Sequence, residues 1–187
     1  FIFDRMKKTI LSLIFLCLFC QGSFANSDII TSLQEGGKLV FLRHALAPGG
    51  GDPDNFDIND CSTQRNLNST GIEQAKRIGN FFKDNNIPVE QVFSSEWCRC
   101  KDTAKNAFQN YKTFNALNSF FSKRFEKNRD KQIKDLKAFI KKWNGKNNLI
   151  FVTHYVVISE MLNDTVSSGE IIVSDKNLNV LGTIETD

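Results

Sequence analysis

Four side chains in this sequence have the types and spacing for phosphoryl chemistry: Arg43, His44, Arg99 and His154. The chain has two histidines, and each directly follows a short apolar run, Lys38-Leu-Val-Phe-Leu-Arg43-His44 and Leu149-Ile-Phe-Val-Thr153-His154. Such runs read as strands buried on both faces. A third, Val89-Glu-Gln-Val-Phe93, leads into Ser94-Ser95-Glu96-Trp97-Cys98-Arg99 and delivers an arginine just past its end. Polar residues at the carboxyl ends of strands in an open α/β sheet stand where ligands bind. Guanidinium forks match phosphate oxygens in geometry and charge. Imidazole titrates near neutrality and serves as nucleophile or acid. Two arginines and two histidines converging on one sheet edge make a phosphate pocket with a nucleophile inside it.

The elements around these runs must hold them in place. Thr70 with Glu73 predicts a capping box ahead of Ile72, Ala75, Ile78, Gly79 and Phe82 at helical spacing. Trp97 to Phe108 reads as a second helix, and Ile133, Leu136, Ile140 and Trp143 line a third with lysines opposite. Gly145 is a stop signal before the His154 strand, and Val156 to Leu162 begins a fourth helix behind it. Strands alternating with helices predict an α/β fold, a three-layer α/β/α sandwich around a mostly parallel central sheet. The sequence shows no internal repeat and no linker long enough to divide it.

At these residues the sequence resembles the histidine phosphatase superfamily, the phosphoglycerate-mutase-like group, over about residues 38 to 173. Leu42-Arg43-His44-Ala45 is similar to the family's Arg-His-Gly signature, with alanine in place of glycine. Asn66 to Ala75 resembles its Leu-Thr-x-x-Gly-x-x-Gln-Ala segment. Ser94 to Ala104 resembles its Ser-Ser-x-x-x-Arg-Ala-x-x-Thr-Ala segment, and Val152-Thr153-His154 its second-histidine motif. The resemblance implies that His44 attacks phosphorus and becomes phosphohistidine, while Arg43, Arg99 and His154 hold the phosphoryl oxygens. Water then hydrolyses the intermediate, with no cofactor and no required metal.

The chain also departs from the family. Leu117-Asn118-Ser119 resembles the place where many members carry Leu-x-Glu, whose glutamate protonates the leaving group; here Ser119 stands there. Tyr155 replaces the glycine that commonly follows the second histidine. Both changes argue against mutase activity and leave the general acid unassigned, with Glu170 and Glu126 as candidates. An alkyl or sugar phosphate needs such an acid and a phosphoramidate needs one less.

The first 25 residues read as a signal peptide. Lys7-Lys8 precede an apolar core, Thr9 to Cys20, and a Ser23-Phe24-Ala25 cleavage site, with Met6 a plausible start. The core is short for a membrane span; a membrane anchor is the alternative, and Phe19 is too large for the position before a lipoprotein Cys20. Cleavage after Ala25 leaves residues 26–187 as a single domain of roughly 160 residues. It removes Arg5, Lys7, Lys8 and Asp4, so the net charge falls from +3 to +1. No basic patch interleaved with aromatics argues for nucleic acid. The lysine-rich stretch from Lys127 to Lys146 fits a solvated helix face.

Cleavage leaves Cys61, Cys98 and Cys100, in a compartment where disulfides persist. Cys98 and Cys100 flank Arg99, and Cys61 lies in the long loop after His44. In the family comparison Cys98 takes an exposed helix position and Cys100 a small buried alanine, which implies a Cys61–Cys98 bond over the Cys100 pairing or three free thiols. Zinc spacing is absent. A cysteine phosphatase Cys-x5-Arg would need arginine at Leu67 or Ala104. The Gly- and Asp-rich loop from Ala45 to Gln64 is a candidate lid, with Gln64, Arg65 and Asn66 placed to reach substrate, and Glu170 as a further contact. Its Asp52, Asp54, Asp57 and Asp60 do not match a calcium loop.

The expectation is therefore a periplasmic or secreted phosphomonoesterase acting on a small phosphorylated substrate, with neither nucleic acid nor a stable membrane insertion. The alternatives are a phosphohistidine phosphatase and a phosphate-ligand binding protein that has lost turnover. Some exported relatives are similar to lipopolysaccharide-core heptose phosphate phosphatases.

Overall fold

A computed structural model describes residues 21–186, with side chains from Ser27 onward. The basic and apolar parts of the expected signal peptide lie outside the described residues. A first helix, α1 (Gln21–Glu35), crosses the expected cleavage point, and its described side chains include the buried Ile29 and Leu33.

The three apolar runs form β1 (Leu39–Arg43), β2 (Val89–Ser94) and β4 (Asn148–Thr153). Two-residue β3 (Lys112–Thr113) flanks them on one side, and β5 (Ile171–Ser174) and β6 (Val180–Ile184) on the other. The sheet order is β3-β2-β4-β1-β5-β6. The first four strands are parallel, and β5 is antiparallel to both β1 and β6. The expected mostly parallel sheet is present, and the antiparallel hairpin extends its edge.

Helices α2 (Ser69–Asp84), α3 (Cys98–Phe108), α5 (Arg129–Lys142) and α6 (Tyr155–Leu162) cover it, with a short α4 (Lys123–Glu126) beside the site. Alternation along the buried strands divides the core in two. Phe41, Leu149 and Phe151 pack with Leu136 and Ile140 of α5 and Val157 and Ile158 of α6. Val40, Leu42, Ile150 and Val152 pack with Leu33 of α1, Ile78 and Phe82 of α2 and Cys100 and Ala104 of α3. This is the three-layer sandwich, and burial on both faces explains why the strands read as continuous apolar runs.

Two local expectations are corrected. The α2 cap is Asn68, whose Oδ1 accepts the Gly71 amide at 2.9 Å, while Glu73 pairs instead with Lys76 at the surface. Asparagine is a stronger N-cap than threonine, and it begins the helix earlier. Helix α5 ends at Lys142 with extended Trp143 as its cap; Gly145, at φ 73°, turns the chain in the following loop.

Candidate active site

Strand register builds the site. Arg43 of β1 pairs with Thr153 of β4, and Ser94 of β2 with Val152, so the three carboxyl ends finish level. The ladder continues one step further, with His44 N–H donating to Thr153 O and Ser95 N–H to Val152 O, both at 2.9 Å. His44, Ser95 and His154 therefore stand side by side.

The backbone after His44 is braced by the segments that carried the family resemblance. The Ala45 amide donates to Thr103 Oγ1 and the Leu46 amide to Gln74 Oε1. Gln74 in turn donates to Ser168 O. A Cβ on Gly71 would lie 2.0 Å from Leu46 O, so only glycine permits this approach. The matching Gly, Gln and Thr thus position the loop that follows His44.

His44 is 2% exposed, and its Nδ1 lies 2.9 Å from Ala45 O. A carbonyl only accepts, so Nδ1 carries the proton and Nε2 the lone pair. Arg99 Nε–H points at that lone pair from 3.2 Å. Arg99 Nη2 lies 3.5 Å from His154 Nδ1, a long contact that again requires a lone pair. His154 Nε2–H then donates to Ser95 Oγ at 3.0 Å, and Ser95 donates to Asn118 Oδ1 at 3.1 Å. Burial, and next the charge of Arg99, hold both imidazoles well below the ordinary histidine range. Both rings are neutral at pH 7, the state a nitrogen nucleophile needs.

Arg43, His44, Arg65, Arg99 and His154 line one pocket of about 190 Å³, with Asp52, Trp97, Ser119, Phe121, Tyr155 and others around it. Arg43 Nη1 donates to Val166 O, and its buried Nε has no partner. Burial lowers the pKa of Arg43 and Arg65, with Arg99 adding to the effect in each. Arg65 lines the pocket while stapling the loop, donating to Gly51 O and Ala47 O.

The other expected contacts lie elsewhere. Asn66 donates to Cys61 O within its own loop. Gln64 is buried and structural: its Oε1 accepts the Cys98 amide at the start of α3. The Glu170 carboxylate accepts the Ser167 amide at 2.6 Å and lines a separate small cavity. Its turn folds the side chain back, although its backbone carbonyl accepts from Arg43. Glu126 is exposed and outside the pocket. Ser119 lines the pocket, but its Oγ accepts the Phe121 amide. Among the described residues no group of three His, Cys, Asp or Glu converges to hold a metal.

One residue the sequence reading missed is Asp52, weighed there only for calcium. It grips the end of Arg99, and its Oδ2 also accepts Trp97 Nε1–H at 3.0 Å. Burial raises its pKa, but the hydrogen bond and charge of Arg99 outweigh this and leave it below the ordinary value. Cys61 is bonded to Cys98, next to Arg99, as the family comparison implied, and Cys100 is buried and free. Burial pushes the Cys100 thiol up to about 12.

The comparisons agree with this geometry. Residues 39–149 match the model of the histidine phosphatase superfamily (branch 1). The chain belongs to that superfamily. No curated protein matches it in sequence. Among solved structures it is similar to the protein histidine phosphatase SixA complexed with tungstate, at 15% identity and TM-score 0.53, covering 76% of this chain and 92% of that one. Phosphoglycerate mutase from Thermus thermophilus matches at 16% identity and TM-score 0.57, covering 80% and 99%. Phosphoserine phosphatase from Entamoeba histolytica, in complex with phosphoserine, matches at 16% identity and TM-score 0.53, covering 73% and 89%. At these identities the likeness shows a shared fold, which fits the superfamily's phosphatase or mutase chemistry.

Proposed function

We propose that this protein is a phosphomonoesterase that works through a phosphohistidine on His44. The observation that carries the reading is the unprotonated His44 Nε2, held 3.2 Å from Arg99 Nε inside a pocket that Arg43, Arg65 and His154 also line. The lone pair forms the N–P bond as the P–O bond to the leaving group breaks, and the leaving oxygen takes that electron pair. Arg99 presents Nε and Nη2 toward the two histidines, where transferring oxygens gather charge. Water then attacks phosphorus, the N–P bond breaks and orthophosphate leaves. Loss of Leu-x-Glu and of the glycine after His154 favours hydrolysis over a mutase cycle.

The substrate in this reading is a small phosphorylated molecule, and the site of action is the periplasm or the exterior. The signal-peptide pattern and the Cys61–Cys98 bond support export. Among the described residues no helix is long and apolar enough to cross a membrane. A second reading, a phosphohistidine phosphatase, is favoured by one observation: the carboxylate lining the pocket, Asp52, is held by Arg99. A phosphoramidate leaving group needs little protonation.

His44→Ala tests the mechanism. The variant should lose turnover together with acid-labile, base-stable incorporation of phosphate. Wild-type turnover in it would remove His44 from the chemistry; phosphate binding by the wild type with neither labelling nor turnover would favour the binding-protein alternative.

A further inference from the structure

Resting on that reading, we infer that the substrate is an aryl phosphomonoester, its phosphoryl group carried on the oxygen of a flat ring that leaves without a proton from the protein. Two independent features of the pocket converge on this class.

The first is the state of its proton donors. Asp52 is the carboxylate that lines the pocket, and both of its oxygens are engaged, by Arg99, Trp97 Nε1 and the Arg65 amide. An ionised carboxylate in that setting accepts and does not donate. Ser119, where a glutamate acid stands in many relatives, is buried; its hydroxyl accepts the Phe121 amide and is a far weaker acid than the carboxyl it replaces. A leaving oxygen here departs as its own anion, which a phenolate does far more readily than an alkoxide.

The second is the pocket mouth. Among the described residues two aromatic side chains stand out as exposed, Phe121 at 60% and Tyr155 at 37%. Both line the His44 pocket, and they meet edge to face with centroids 5.7 Å apart. Arg43 lies over the Tyr155 ring, 5.5 Å from its centroid, and so ties the aromatic rim to a phosphate-binding arginine. Trp97 and Phe125 line the same pocket. An exposed aromatic pair is costly in water and is repaid when another ring covers it. Ser122 and Arg124 lie beside these rings in the same lining, and the Phe121–Tyr155 pair supplies the flat apolar contact.

Binding and turnover test the inference separately. Phenylphosphonate and methylphosphonate carry the same anion with and without a ring, and neither can be hydrolysed. Calorimetry on the wild type should give phenylphosphonate an advantage of about tenfold, the scale of one or two ring contacts. Phe121→Ala should remove most of that advantage, weakening phenylphosphonate far more than methylphosphonate. In turnover, phenyl phosphate should exceed benzyl phosphate by at least about 100-fold, because benzyl alcohol keeps the ring but is a poor leaving group. Equal binding of the two phosphonates would overturn the ring subsite. Benzyl phosphate hydrolysed as fast as phenyl phosphate would show that the protein supplies the proton. A wild type that prefers phenylphosphonate but hydrolyses no ester would overturn the phosphomonoesterase reading and leave the ring subsite standing.

Discussion

Asp52 and Arg99 divide the guanidinium between two tasks. The carboxylate takes its end, with Oδ1 2.7 Å from Nη1 and Oδ2 3.2 Å from Nη2, while Nε and Nη2 face His44 and His154. The side chains are 4% and 12% exposed for Arg99 and Asp52, so water competes little for this pair. Breaking a buried pair from one side typically costs about 3–5 kcal/mol, and the partial exposure of Asp52 places this case near about 3 kcal/mol. Asp52→Asn should lower the urea midpoint accordingly and slow phosphoryl transfer at saturating substrate. A variant as stable and as fast as the wild type would mean that Arg99 holds its orientation alone.

The same division predicts that Arg99→Lys will not rescue function. A lysine ammonium is a point charge on a flexible stem and cannot grip Asp52 while presenting two donors to the histidine side. Loss of one preorganised electrostatic partner costs about 3 kcal/mol in the transition state, roughly 100-fold in rate. Steady-state kinetics with an aryl phosphate should show this for Arg99→Lys as well as for Arg99→Ala. A near-normal rate in the lysine variant would reduce the role of Arg99 to its charge.

Arg43, His44, Arg99 and His154 were legible in the sequence because strands buried on both faces leave unbroken apolar runs, and a parallel sheet brings their carboxyl ends level. Asp52 was not legible. Its place depends on the path of an irregular loop with positive φ at Gly49 and Gly51, which follows no periodicity. Asn66 and Glu170 lie outside the pocket for a related reason: nearness to a motif in sequence does not fix which way a turn residue points. Gln64 was read as a substrate contact, although the unpaired amide at the start of α3 gave it a structural use. Helix α1 and the β5–β6 hairpin have no counterpart in the four motifs and went unread.

Two buried neutral histidines also make stability depend on pH. Their folded values lie well below the unfolded value of about 6.5. As pH falls below about 6.5, the unfolded chain takes up protons that the folded site refuses, so the folded state loses stability. The slope reaches at most about 1.4 kcal/mol per pH unit for each histidine. Asp52 acts in the same direction, but in a lower window, below about 3.9. Urea unfolding at pH 7.5 and 5.5 should show a clear loss in the wild type and roughly half of it in His154→Gln. Parallel pH profiles for the two proteins would show that His154 is not held neutral.

The Cys61–Cys98 bond joins the loop from Ala45 to Gln64 to the first residue of α3, immediately before Arg99. It spans 37 positions, for which the chain-entropy account gives about 4 kcal/mol as an upper value. The segment it closes, residues 61–98, contains Arg65, and the loop that enters it at Cys61 carries Asp52 and the Gly51 and Ala47 carbonyls that receive Arg65. Cys61→Ser should therefore lower stability by about 2–4 kcal/mol. It should also raise KM more than it lowers kcat, because the loop that steadies Arg99 and Arg65 becomes free to depart. Cys100 provides the internal control: its thiol, pushed up to about 12 by burial, should resist alkylation in the folded protein. Non-reducing peptide mapping followed by kinetics under reductant reads both effects in one preparation. Three alkylatable thiols in folded, oxidised protein would exclude the bond, and reduction that changes stability but not KM would separate the loop from substrate binding.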